Sequence, residues 1–488
     1  MRVAFVYIDP SYKTMGPFHI GISSLIACLR RAGYECSFFH LLGDVPTDAF
    51  AAFLQRDRPD VVAFSVTTNV MPHLPPLASL AKRQSGATTV CGGVHPTLRP
   101  DEVMAIDGID AVCIGEGEGA LLDLCRRLET NGDISDIPNL WTRDGDKVRR
   151  NPLRPLCRDL DDLPVPDREV FPYAECFDLR FLRRGVFMAS RGCPYNCAYC
   201  CSPTVKQLYG GRKYIRFRSP EHLIDEVAKV TADFPEIEYN VFHDDLLPMD
   251  KVWFERFARL YRQRIALPFE MNCHPGLMDA DTARMAREAG CLLVRFGIES
   301  GNEHLRRKML SRHISDQRII DAFRCCDDAG IQTLSYNMIG LPHETRSQVL
   351  DTVKLNARVK PRMVHVSTFY PYPGTEAYEM CRREGLLSQR HTDTYYEDSV
   401  LQQRSISSDQ LRSMRGLFKP LVRLYSRCDT MPKPAGKLLE KAIDLWVLAR
   451  TDRRLLRLAG RGGLQGEAKH DEPVYILKGG EVRYWGSG

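Results

Sequence analysis

The sequence predicts an α/β protein. A doubly wound parallel sheet comes first, a partial barrel of six βα repeats follows, and the C-terminal region is mainly helical. Three observations predict this. Short apolar runs alternate with helix-period segments in two separate series, the pattern of parallel strands joined by crossover helices. Between the series, Asp133 to Val170 is polar and broken by Pro138, Pro152, Pro155, Pro164 and Pro166. Beyond about Ser388 the strand signal fades and helical periodicity takes over.

In the first series, Val3–Ile8 is a buried strand by pattern, and Ile20–Arg31 a helix ended by Gly33. Strands follow at Cys36–Leu41, Val61–Ser65, Thr88–Cys91 and Ala111–Ile114. Helices fall at Phe50–Leu54, Leu74–Lys82 and from Glu118 to Leu128. The proline-broken stretch reads as a linker with a small hairpin at Trp141 to Arg149. In the second series, strands from Val186, Ile237, Phe269, Leu292, Thr333 and Met363 alternate with helices at Pro220–Val230, Val252–Tyr261, Thr282–Ala289, Arg318–Ala329 and Gln348–Val359. The expected divisions are 1–135, a linker over 136–183, 184–385 and 386–488.

At 488 residues the chain is long enough for about three domains. Its 67 basic and 62 acidic residues nearly balance, which argues against a nucleic-acid partner. Met1-Arg2-Val3-Ala4-Phe5-Val6 opens a strand rather than a secretory leader, and no uncharged apolar run is long enough for a membrane span. The 17 cysteines therefore read as reduced thiols, and the expected location is the cytoplasm.

The chemistry centres on Arg191-Gly192-Cys193-Pro194-Tyr195-Asn196-Cys197-Ala198-Tyr199-Cys200, three cysteines at C-x3-C-x2-C spacing after a short strand. A cubane iron–sulfur cluster usually takes four thiolates. Three on one loop leave one iron open to a small ligand, and an open position marks a reactive metal site. The spacing alone also admits a zinc knuckle, with His243 or His274 as fourth ligand, or a group of core thiols. Cys201, adjacent to the loop, reads as packing.

This loop, with aromatic Tyr199 before its last cysteine, resembles the cluster loop of the radical S-adenosylmethionine (radical SAM) enzymes. The resemblance implies a [4Fe–4S] cluster on Cys193, Cys197 and Cys200, with SAM chelating the open iron. Other motifs at strand ends resemble that family's SAM site. They are Asp244-Asp245, Gly297-Ile298-Glu299-Ser300-Gly301-Asn302, and Tyr336 to Thr345 with its Gly340-Leu341-Pro342 turn. The SAM contacts implied are Tyr199, Asp244, Glu299, Asn337, Ile339 and Gly340. Asp244-Asp245 is equally readable as a cap for the next helix, and His274 as a satisfied structural histidine.

The first series resembles the cobalamin-binding, Rossmann-like domain that precedes the barrel in one radical SAM subclass. Ligands of such sheets bind beyond the carboxyl ends of the strands. The contacts implied are Pro10, Ser65, Thr67, Gly92, Gly93, Gly115, Glu116, Gly117 and Glu118. One departure is clear: after the first strand, Asp9-Pro10-Ser11-Tyr12-Lys13 lacks the histidine of the Asp-x-His-x-x-Gly motif, so ligation of cobalt from its lower face by that histidine is not expected. His95 is open between an axial ligand and a loop histidine satisfied locally.

Residues 1 to about 385 carry this resemblance. It implies a cobalamin-dependent radical SAM enzyme that methylates an unactivated carbon of a small-molecule or natural-product substrate, with an external electron donor of flavodoxin or ferredoxin type. No side chain is assigned a catalytic role. Oxidative cyclisation or ring rearrangement is the alternative chemistry, and a non-catalytic cobalamin-binding sensor the alternative class. Residues 411 to 463 hold roughly 13 Lys and Arg against 4 acids. Leu411 to Leu458 reads as helical by pattern, either with solvated helix faces packed on the barrel or facing an anionic ligand or membrane surface. Gly462 to Gly488 reads as partly disordered.

Overall fold

The structure, a computed structural model, describes residues 1–9, 16–43, 47–145, 147–211, 214–388, 390, 399–452, and the strands at 475–478 and 481–484. Pro10 and most of 462–488 lie outside the described residues. The chain forms two compact units: 1–194 with 201–237 and 372–374, and 195–200 with 238–371 and 375–488.

The first unit is built on a seven-stranded sheet. Its strands are β1 (Arg2–Asp9), β2 (Glu35–Leu42), β3 (Val61–Ser65), β4 (Thr88–Gly92), β5 (Ala111–Cys113), β6 (Leu140–Asp144) and β7 (Lys147–Arg150). They lie in the order β2-β1-β3-β4-β5-β6-β7. The first five are parallel; β6 and β7 are antiparallel. Central β1 and β3 are buried along almost their whole length, as strands covered on both faces must be. Phe50, Phe53, Leu54, Leu74, Leu77 and Ala81 from two crossover helices pack against Ala4, Val6, Val62 and Phe64. The helix Ile20–Arg31 has the bounds that its periodicity predicts, and Gly33 follows it at φ +89°. The hairpin expected inside a linker is real, but it belongs to the sheet. Leu140 and Thr142 are buried and Trp141 between them packs half-buried on the core, so β6 serves as a further strand beside β5.

The same unit includes β8 (Arg184–Phe187) and the short antiparallel pair β9 (Ser190–Arg191) and β10 (Arg216–Phe217). It also carries the helix Pro220–Asp233.

The second parallel sheet has six strands. Five belong to the second unit: β11 (Tyr239–Phe242), β12 (Phe269–Cys273), β13 (Cys291–Glu299), β14 (Gln332–Ile339) and β15 (Met363–Thr368). They neighbour one another in chain order, all parallel. Each crossover helix opens on a capping side chain that accepts from a backbone N–H of its first turn: Asp250 from Trp253, Asp279 from Thr282, Ser315 from Arg318 and Thr345 from Gln348. The cap before Lys251–Arg264 is thus Asp250, and not the Asp244-Asp245 pair.

The C-terminal region is mainly helical, as the sequence predicts. Ser408–Cys428 and Lys433–Arg450 are separate helices, with Pro432 directly before the second. Met414, Phe418, Leu421, Val422, Ile443 and Val447 pack with Ile339, Val349, Val353 and Val366 in one core. Among the described residues no helix is long and apolar enough to cross a membrane.

Candidate functional site

In the second unit, the predicted residues Cys197, Tyr199 and Glu299 gather around an arginine that the sequence reading missed. Glu299 ends β13 in the left-handed region at φ +66°, where a non-glycine residue is strained. Its carboxylate folds back over Gly297, into space that a Cβ there would occupy. Arg312 is 7% exposed. It donates from Nη2 to the Gly297 carbonyl at 2.6 Å, and its Nη1 lies 3.8 Å from Cys197 Sγ. Burial pushes the Glu299 carboxyl up, opposed by the charge of Arg312 and a hydrogen bond with Tyr199. Burial likewise pushes the Cys197 thiol up, again opposed by Arg312.

The loop itself is held from several directions. The Ala198 N–H donates to the Leu310 carbonyl at 3.0 Å, and the Cys200 N–H to that of Cys197 at 3.1 Å. Ala198 and Tyr199 pack with Leu305, Leu310 and Leu341. Tyr195 stacks on His274 with ring centroids 4.0 Å apart. His274 accepts through Nδ1 from the Gly276 N–H, and burial lowers its pKa to about 3, so it is neutral. It supports the loop as a structural histidine. Cys201 precedes the helix Ser202–Leu208.

Asp244 is buried at the carboxyl end of β11, where its carbonyl accepts from Asn272. Asn337 is different. Its Nδ2 donates to the His365 carbonyl at 3.0 Å and to Ser335, and its Oδ1 accepts from Asn356 at 2.7 Å. The amide expected at a ligand head group is therefore spent inside the sheet. Ile339 belongs to the C-terminal core. Gly340, at φ +82°, lies against Leu411 and donates its N–H to Glu344 at 2.6 Å.

In the first unit, the loops after β3, β4 and β5 bring Ser65, Thr67, Gly92, Gly93 and Gly115 to Glu118 to one edge of the sheet. Thr67 and Gly93 are exposed there, and Ser65 is half-buried. Gly93 has φ +113°, and a Cβ on it would meet the Val66 carbonyl oxygen at 2.7 Å. The glycine is needed for this backbone approach. At Gly115 the approaching group is the Tyr209 hydroxyl, which also accepts from the Glu116 N–H at 3.1 Å.

Glu116 and Glu118 place their carboxylates on arginines. Arg216 grips Glu116 with both Nη atoms, at 2.7 and 3.1 Å. Arg191, two residues before Cys193, reaches Glu116 at 3.0 Å and Glu118 at 2.6 Å. Burial opposes ionisation of Glu116, but its hydrogen bonds to Arg216 and the charge of Arg191 hold it below the usual range. His95 sits on the short helix Val94–Leu98 rather than in a loop; its Nδ1 is 3.1 Å from Thr68 Oγ1, while its Nε2 lies 3.3 Å from Glu102 without hydrogen-bonding geometry. His19 caps the first helix by accepting from Ile22 through Nδ1, and burial lowers its pKa to about 4. Beside it at the same edge, the His40 side chain is buried 3.7 Å from Asp9, and neither ring nitrogen is hydrogen-bonded among the described residues. Only the end of β1 was singled out by sequence. His19 and His40 carry no motif, and only the sheet brings them together.

The donor set fits the groups expected from sequence. Cys193, Cys197 and Cys200 supply three thiols within eight consecutive residues, and a guanidinium stands beside one of them. No three His, Cys, Asp or Glu side chains among the described residues converge on a single metal-ion position. A cubane does not require that, because each thiolate binds a different iron. The edge of the first sheet combines exposed loop backbone with the His40 imidazole, which has no hydrogen-bond partner among the described residues, an arrangement suited to a large ligand bearing its own polar groups.

Comparison with known proteins yields matches in both parts. Residues 17–125 match the family model described as the B12 binding domain, and residues 188–355 that of the radical SAM superfamily. An uncharacterised methyltransferase of Pyrococcus horikoshii is 27% identical over 437 residues, 88% of this chain and 93% of the relative. Hopanoid C-3 methylase of Methylococcus capsulatus is 24% identical, covering 86% and 80%. An anaerobic magnesium-protoporphyrin IX monomethyl ester cyclase of Cereibacter sphaeroides is 23% identical, covering 78% and 64%. Among solved structures, the radical S-adenosylmethionine methyltransferase TsrM of Kitasatospora setae, with cobalamin and a [4Fe-4S] cluster bound, aligns with TM-score 0.65 at 18% identity. That alignment covers 80% of this chain and 76% of that one.

Proposed function

The chain belongs to the cobalamin-dependent radical SAM enzymes, and from that premise we propose that it methylates an unactivated carbon of a small-molecule or natural-product substrate. The observation that carries this is the presence of a B12 binding domain and a radical SAM domain in one chain. Relatives that span most of it are named as methyltransferases. When bound, the cluster and SAM supply a 5′-deoxyadenosyl radical for hydrogen abstraction, and methylcobalamin supplies the methyl group. The protein's part is to position them. Cys193, Cys197 and Cys200 hold the cluster, and Arg312 sets the charge beside it. Glu299, Tyr199, Asp244 and Gly340 border the SAM site. The loops after β3, β4 and β5 cradle the corrin.

A low-potential one-electron carrier of flavodoxin or ferredoxin type is the proposed reductant, and the cytoplasm the proposed location. None of the 17 cysteines is paired in a disulfide, which suits a reducing compartment. Cyclase relatives keep an oxidative cyclisation as the second reading.

The test is anaerobic reconstitution with iron, sulfide and cobalamin, followed by reduction with SAM carrying a labelled methyl group. Methylation predicts 5′-deoxyadenosine, labelled methylcobalamin, and a product that gains one carbon from SAM. A product that loses hydrogens or gains oxygen without that carbon selects the cyclase reading. Cobalamin binding with no 5′-deoxyadenosine would make the protein a sensor.

A further inference from the structure

The helix Lys433–Arg450 has two apolar faces, and the core uses only one. Gly436, Ile443 and Val447 are buried, and Leu439 and Leu448 pack against the same C-terminal core. On the other side Leu438 is 72% exposed, Leu445 71% and Trp446 49%, with Ala442 and Ala449 exposed between them. These five positions fall at i, i+4, i+7, i+8 and i+11, a single stripe along the helix. Scattered exposed leucines need no explanation, whereas an aligned set with an exposed tryptophan marks a surface that meets something apolar.

The acids of this helix are paired and its cations are exposed. Its two acids, Glu440 and Asp444, both pair with Lys354, at 3.0 and 2.7 Å, and Asp444 also accepts from the Tyr425 hydroxyl. They are spent on the protein side. The cations Lys433, Lys437, Lys441 and Arg450 are exposed, and the Arg450 guanidinium lies 5.5 Å from the Trp446 ring. In the sequence, the nine residues Arg453 to Arg461 add four arginines and three leucines.

We propose that this face docks on an anionic membrane surface. Leu438, Leu445 and Trp446 would enter the boundary between headgroups and acyl chains, with the lysines at the level of the phosphates. The helix lies on the bilayer and does not cross it, consistent with its mixed composition. The charge pattern favours lipid over protein. Protein interfaces are depleted in lysine, whereas Lys441 borders this stripe and exposed Lys437 lies one turn before it.

The test uses the full-length protein and vesicles of phosphatidylcholine with or without phosphatidylglycerol. Co-sedimentation is expected only with phosphatidylglycerol, and it weakens as salt is raised. Lys437→Glu with Lys441→Glu should weaken it by more than about tenfold, and Leu438→Asp with Leu445→Asp should abolish it. Both double variants should keep the wild-type melting temperature, because the altered side chains are in solvent. Failure to sediment with anionic vesicles, equal binding to neutral ones, or full binding by the double-glutamate variant overturns the proposal. A dimer broken by Leu438→Asp, with no vesicle binding, assigns the face to a second copy and overturns it as well.

Discussion

Arg312 Nη1 lies 3.8 Å from Cys197 Sγ, while Nη2 of the same guanidinium is anchored on the Gly297 carbonyl. A buried cation fixed beside a cluster ligand favours the more negative, reduced form of the cluster. At an effective dielectric constant of about 20, one charge roughly 6 Å away is worth a few kcal/mol, on the order of 100 mV for one electron. Arg312→Gln is therefore expected to lower the cluster midpoint potential by that order, and Arg312→Lys by much less. Redox titration followed by electron paramagnetic resonance measures it. An unchanged potential in Arg312→Gln would reduce the arginine to a packing role.

The three loop cysteines should be individually indispensable and their neighbour dispensable. Cys193→Ala, Cys197→Ala and Cys200→Ala are each expected to lose the iron–sulfur absorbance and 5′-deoxyadenosine formation. Cys201→Ala should keep both. Iron and sulfide analysis of the reconstituted variants checks this. Loss of iron in Cys201→Ala alone would mean that the wrong trio has been assigned.

Arg191 ties the Gly-Glu-Gly-Glu loop to the start of the cysteine loop through Glu116 and Glu118. Glu116 has a second partner in Arg216; no other partner is seen for the Glu118 side chain among the described residues. Arg191→Met strands a mostly buried carboxylate and should cost about 1–3 kcal/mol, less than for a fully buried pair because both acids keep some solvent contact. Arg191→Lys should recover part of it, since one ammonium cannot span two carboxylates as a guanidinium fork does. Denaturant midpoints report the loss. Iron retention should fall with it if the pair also sets the loop's entry.

Much of this architecture is legible in the sequence because it rests on local patterns. Ile20–Arg31 is bounded by periodicity and a following glycine, and the strand–helix alternation implies both parallel sheets. What stayed hidden depends on contacts distant in sequence. The β6–β7 hairpin reads as a linker feature, because only its pairing with β5 makes it part of the sheet. Arg312 lies in a loop without a motif, and its importance comes from folding back onto Gly297. Asp244 and Asp250 are equally good caps by residue type, and the intervening turn Leu247–Met249 decides for Asp250.

Glu344 makes a pH dependence testable. Its side chain is fully buried, and its Oε2 accepts from the Gly340 and Leu341 N–H groups while Oε1 has no partner among the described residues. Burial dominates those two hydrogen bonds and raises its pKa to about 8 from an ordinary 4.5. The folded state then holds a proton that the unfolded chain releases near pH 4.5, so between these values the native form binds more protons. Stability should fall as pH rises through that window, by at most about 1.4 kcal/mol per pH unit from this group, and level off above the folded pKa. Glu344→Gln keeps an oxygen for the two N–H donors and carries no charge, so its stability should decline less over the same range. Denaturant unfolding of both proteins between pH 5 and 9 measures the difference. Parallel curves would mean that Glu344 is ionised in the folded protein, with water or another group compensating it.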